Sequence, residues 1–134
     1  MKHLLVIIGV VILCLSLAAC DNRSSYGQTD HVVTDIGQSE EFSADEINEA
    51  MDRVLEKFKD FNGCDLTELW YDEAHSDAWT KDYAAGTAIV LLSEFDVDAT
   101  GGGSFNPNST YPSFSWILTR ENADVRWQVE DWGY

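Results

Sequence analysis

Ser43-Ala-Asp-Glu-Ile-Asn-Glu-Ala-Met-Asp-Arg-Val-Leu-Glu-Lys-Phe-Lys-Asp-Phe-Asn-Gly63 is the stretch that decides the fold. The Ser43 hydroxyl can cap the free amides of a first helical turn, and Glu46 can reach back to the Ser43 amide. Phe42 and Ile47 stand at the two positions of a hydrophobic staple. Ile47, Ala50, Met51, Val54, Leu55, Phe58 and Phe61 recur at steps of three and four, which lays one apolar stripe along a helix of about eighteen residues. Asn62-Gly63 stops it. The other side carries Asp45, Glu49, Asp52, Arg53, Glu56, Lys57, Lys59 and Asp60, the pattern of a solvated face.

Downstream the period changes. Leu66 to Asp72 is short and rich in Leu, Trp and Tyr, as a strand is. Glu73 to Ala85 is a polar connector with room for a short helix before Gly86. Ala88-Ile-Val-Leu-Leu-Ser-Glu-Phe-Asp-Val-Asp98 is β-branched and apolar at its start and alternates towards its end, a strand. After a glycine-rich loop from Ala99 to Pro112, Phe114 to Arg120 and Val125 to Trp132 read as two strands joined at Glu121–Asp124. The pattern predicts an α+β domain: a long N-terminal amphipathic helix laid on a curved antiparallel sheet of about four strands, cone-like, over residues 42–134.

Upstream of Phe42 the chain carries an address. Lys2 is followed by an apolar run, Leu4 to Leu17, of about fourteen residues, short of the roughly 20 that span a hydrocarbon core. Leu17-Ala-Ala-Cys20 resembles a bacterial lipobox, which implies cleavage after residue 19 and acylation of the Cys20 thiol. Asp21 resembles the signal that keeps such proteins at an inner membrane. The expected partner is thus the plasma membrane, reached through the lipid anchor, with the domain on its outer leaflet. Residues 20–41, poor in large apolar groups, read as the lipidated cysteine and a flexible tether with a mean reach of about 25 Å; the alternative is a first strand over His31–Ile36. Eight basic residues against 24 acidic ones give a net charge of -16, which excludes nucleic acid as a default partner. With Cys14 in the leader and Cys20 acylated, Cys64 has no intrachain partner and reads as a small buried apolar residue.

Leu69-Trp-Tyr-Asp-Glu73, Ala88–Asp98, Phe105-Asn-Pro-Asn-Ser-Thr-Tyr111 and Asp131-Trp-Gly-Tyr134 resemble a group of small, uncharacterised lipoproteins of Gram-positive bacteria. Those proteins are similar to the nuclear transport factor two-like, or cystatin-like, domains, in which a curved sheet wraps helices into a cone with a cavity. The resemblance implies a pocket. It implies no catalytic residues, since no Asp and His pair of the superfamily's enzymes matches positions here.

Glu94 shares a strand face with Val90, Leu92, Asp96 and Asp98, so at a pocket mouth, with a raised pKa and with Trp70 and Trp116 nearby, it is the candidate acid or base of a small hydrolase or isomerase. The bland alternative is an exposed carboxylate. Asp96, Asp98, Thr100 and Gly101 resemble the opening of a calcium loop, which suggests a calcium-dependent cell-wall module, although Pro107 stands where a bidentate Glu belongs. The five tryptophans suggest a platform for sugar rings, or a core. His31 and His75 are too dispersed for a zinc cluster, and Cys64 with His75 makes a thiol triad on paper only. No cofactor motif is present. The function that fits best is a membrane-anchored, non-enzymatic binding or accessory module whose protein or cell-wall ligand the sequence does not name.

Overall fold

The computed structural model describes residues 26–101 and 103–134. The leader, Cys20 and Asp21 lie outside them. In chain order the elements are β1 (Val33–Asp35), α1 (Ala44–Phe58), β2 (Cys64–Tyr71), α2 (Glu73–Thr80), β3 (Ala88–Val97), β4 (Thr110–Thr119) and β5 (Gln128–Gly133). The fold is α+β, with a five-stranded sheet in the order β1-β2-β3-β4-β5.

Three expectations need correction. The sheet is mixed and has five strands, not four antiparallel ones, because β1 pairs parallel to β2 through Val33–Glu68, Thr34–Leu69 and Asp35–Trp70. The helix is not the long N-terminal element expected: it has 15 residues and follows β1. Its apolar stripe outlasts it because the Phe61 amide turns back onto the Phe58 carbonyl at 2.8 Å, which keeps Phe61 on the core side after the helix has ended. The tether, finally, is not free up to residue 41. The Gly27 amide donates to the Lys59 carbonyl (3.1 Å), the Gln28 amide to Cys64 (2.9 Å) and the Leu66 amide back to Gln28 (2.9 Å). Further along, the Glu73 carboxylate accepts from the Ser39 hydroxyl, the Glu40 amide (3.0 Å) and the Tyr71 hydroxyl (3.2 Å), pinning the approach to α1. Backbone pairing and one carboxylate order a segment that hydrophobicity alone would leave loose.

Ser43 and Glu46 form the capping box, with the Ser43 amide 2.7 Å from Glu46 Oε2 and the Glu46 amide 3.2 Å from Ser43 Oγ. Ile47, Ala50, Met51, Val54 and Phe58 are buried against the sheet. Three bulges decide which strand residues meet them. An extra residue in β2 between Leu66 and Glu68 brings Leu66 and Leu69, three apart, to the same face. A second, in β4 with Ser113 at φ 53°, does the same for Tyr111 and Phe114. A third lies in β5 opposite Ile117–Leu118. The inner face is therefore almost entirely aromatic at one end: Phe58, Phe61, Phe95, Phe105, Phe114 and Trp116 pack with ring centroids 5.1–6.4 Å apart. The outer face of β3, with Val90 and Leu92 buried, is covered by α2, whose Ser76 Oγ accepts the Val90 amide at 2.9 Å. That amide lies beyond the end of β2 and would otherwise lack a partner.

Candidate functional site

The structure scatters the proposed catalytic groups. Trp116 is fully buried, its indole nitrogen donating to Ser93 Oγ at 2.8 Å while the Ser93 hydroxyl donates to the Phe114 carbonyl at 3.1 Å. It is core, which removes it from the expected pocket. Glu94 lies on the opposite face of the sheet, half-buried and in register with exposed Glu68 of β2. Trp70 is also on that outer face, opposite Leu92. Glu94 and Trp116 thus belong to different sides of one sheet and cannot share a pocket.

Asp96 and Asp98 do not converge either. Asp96 Oδ1 accepts from the Thr110 hydroxyl at 2.6 Å. Asp98 Oδ1 takes the Thr100 hydroxyl (2.6 Å) and amide (2.9 Å) in a local turn, which holds its carboxyl below the usual range. Among the described residues no three His, Cys, Asp or Glu side chains are grouped as metal ligands. Cys64 opens β2 and His75 follows its end, so seven strand steps, about 23 Å, separate the two ends. Cys64 is buried, and its thiol is pushed up to about 11 by that burial and by Asp98. This is the inert, apolar cysteine expected.

Two clefts remain of interest. One, of about 320 Å³, opens at the end of the molecule where the described chain begins and is lined by Tyr26, Gln28, Cys64, Asp65, Asp96 and Asp98. Asp65 faces Asp96 in the ladder, and burial, with Asp96 and Asp30 adding repulsion against the pull of His31, raises its carboxyl above the ordinary range. The other, of about 90 Å³, lies on the outer face between α2 and the β4–β5 pair. Trp79 forms one wall, Ser115 and Ile117 the floor, Asp131 and Gly133 the far side. Trp79 is 54% exposed, the largest side chain left in water on either helix. Gly133, at φ 140°, has open space where a Cβ would stand, so the far side of the cleft is unobstructed.

Sequence reasoning missed this second cleft because its parts come from three elements with no shared motif. The one available signal was Trp79 itself, an aromatic in an otherwise polar segment. It also missed Arg120, whose side chain is only 5% exposed. The guanidinium lies 4.0 Å over the Trp127 ring, donates to Glu46 Oε1 at 2.8 Å and reaches the Gly86 carbonyl at 2.9 Å. Hydrogen bonds from the Ser43 amide and from Arg120 hold the Glu46 carboxyl below the ordinary glutamate range. That cluster joins the start of α1 to the β4–β5 connection and is architectural. No helix among the described residues is long and apolar enough to cross a membrane. No protein-family model, no curated protein and no solved structure matches the chain.

Proposed function

We propose that this chain is an extracytoplasmic lipoprotein, acylated at Cys20, whose domain is a non-enzymatic binding module that takes sugar rings in the outer-face cleft. The lipobox and its leader motivate the anchor. The observation that carries the binding activity is Trp79: a flat, water-facing indole on a helix locked to β3 through Ser76, beside a cleft lined by the Asp131 carboxylate and the Ser115 and Tyr134 side chains. A pyranose presents an apolar C–H face, which stacks on an indole, and a rim of hydroxyl donors, which Asp131 and Ser115 can accept. Glu94 lies outside the cleft that Cys64 and Asp98 share, and His75 stands beyond the opposite end of β2 from Cys64, which favours binding over catalysis. The likeness to nuclear transport factor two-like domains stays part of the proposal. Three bulges support a sheet curved around α1, while the place of a cone's cavity is taken by Phe58, Phe61 and Trp116.

Two measurements test this. Intact mass of wild type and Cys20→Ala from membranes should differ by acyl chains, and equal release of both into the medium would refute the anchor. Titration of the domain with N-acetylglucosamine oligosaccharides should shift the Trp79 indole resonance. Trp79→Ala should abolish binding with an unchanged melting temperature. A silent indole, or binding that survives in Trp79→Ala, would refute the sugar site.

A further inference from the structure

We infer that the domain is held against the bilayer by a leash too short to let it turn over, so that the end bearing Gly27, Gly63 and the Asp98–Ser109 loop faces the headgroups and the Arg120–Trp127 end faces outward. The inference rests on acylation at Cys20, and its test separates the two.

Among the described residues, Gly27 is the first that the fold fixes on both sides. It is buried, its amide is bonded to Lys59, and a Cβ there would stand 1.9 Å from the Phe58 carbonyl oxygen, so the backbone runs flush against the end of α1. From Cys20 to Gly27 there are seven Cα steps, which whatever their conformation span at most about 25 Å. Crossing one headgroup layer uses about 6 Å of that. A body of about a hundred residues has a radius of gyration of about 13 Å, hence a diameter near 34 Å. The leash that remains is shorter than the body, and the end opposite Gly27 cannot be brought down to the membrane.

The direction of α1 identifies the two ends. Phe58 closes the helix beside Gly27 and Phe61, whereas Glu46 opens it beside Arg120 and Trp127. The near end carries Asp30, Asp60, Asp65, Asp96 and Asp98 against the exposed Lys59 at the C-cap of α1, His31 beside Asp65, and Lys57, which Asp60 engages at 3.3 Å, so carboxylates outnumber cations there. The surface it fits is a neutral or zwitterionic headgroup layer. Anionic lipid repels it within a Debye length, so the domain stands off at low salt and settles at high salt. The Trp79 cleft, on the outer face of the sheet, stays open from the side.

The test uses the full acylated protein in phosphatidylcholine vesicles with a headgroup acceptor and a single dye at Ser104→Cys or Ala123→Cys. Both positions are exposed, and Cys64 is too buried to compete for label. Energy transfer should be severalfold stronger from position 104 than from 123. Inserting about twenty Gly and Ser residues after Tyr26 should level the two, since such a linker reaches about 25 Å on average. Anionic lipid should weaken transfer from 104 at low salt only. Equal transfer in the uninserted chain, with the acyl mass confirmed, overturns the orientation and leaves the anchor standing. An absent acyl mass overturns both. Stronger transfer on anionic lipid overturns the choice of headgroup.

Discussion

Arg120→Met should cost this domain more than any surface substitution, and the size can be worked from the contacts. The guanidinium makes a charge-assisted bond to Glu46, a second bond to the Gly86 carbonyl and a face contact with Trp127, with Phe42 5.8 Å away. Removing one partner of a buried pair costs about 3–5 kcal/mol, because the group left behind is stranded. Here the arginine is 5% exposed but Glu46 is 29% exposed and can regain water, so the low end applies, about 3 kcal/mol. With a urea slope of about 1.5 kcal/mol/M, the midpoint falls by about 2 M. Equilibrium urea unfolding followed by tryptophan fluorescence measures it. The pH dependence gives an independent check. Glu46 is held below its ordinary range in the folded state, so its contribution is present above the unfolded value of about 4.3 and is lost as pH falls through the folded value. Wild type and Arg120→Met should therefore converge on acidification, and Glu46→Gln should flatten the same limb. A midpoint shift under about 0.5 M at neutral pH with unchanged slope would refute the assignment of Arg120 as the cation that joins helix to sheet.

Ser93→Ala should lose about 1–3 kcal/mol although it deletes a single oxygen, because the buried Trp116 indole N–H is left without an acceptor; thermal unfolding reads it, and a neutral result would mean the indole has another partner. Gly27→Ala should cost about 1–3 kcal/mol by overpacking and should speed amide exchange at Gln28 and Leu66, where the N-terminal segment is paired; unchanged exchange would count against that docking. Native Cys64, with its thiol pushed up to about 11, should resist a thiol reagent at pH 8 and react at once in denaturant. Rapid modification of the folded protein would show the buried position to be open.

How much was legible beforehand follows which interactions are local. The start of α1 was readable to the residue, since Ser43, Glu46 and the stripe from Ile47 to Phe58 act within a few turns of chain. The strand Ala88–Val97 was readable for the same reason. The expected grouping of Trp116 with Glu94 rests on aromatic character alone, and the sheet puts the two on opposite faces. Along β4, Trp116 shares the core with Phe114 and Leu118, two residues to either side of it. β1 was visible only as an alternative, because three exposed residues carry no hydrophobic pattern and owe their place to a backbone ladder with Glu68, Leu69 and Trp70.

The sequence alone determined the helix, its cap, the strong central strand, the inert buried cysteine and the acidic character of the surface, all of them properties of near neighbours or of composition. Only the tertiary structure decided that the chain is fixed from Gly27 onward, that Arg120 is buried against Glu46 and Trp127, and that Trp79 meets Ser115 and Asp131 across a cleft. Apart from the Arg120–Trp127 stack, those depend on contacts between residues 32 to 81 positions apart, brought together by a register that single-residue bulges set and no local pattern encodes.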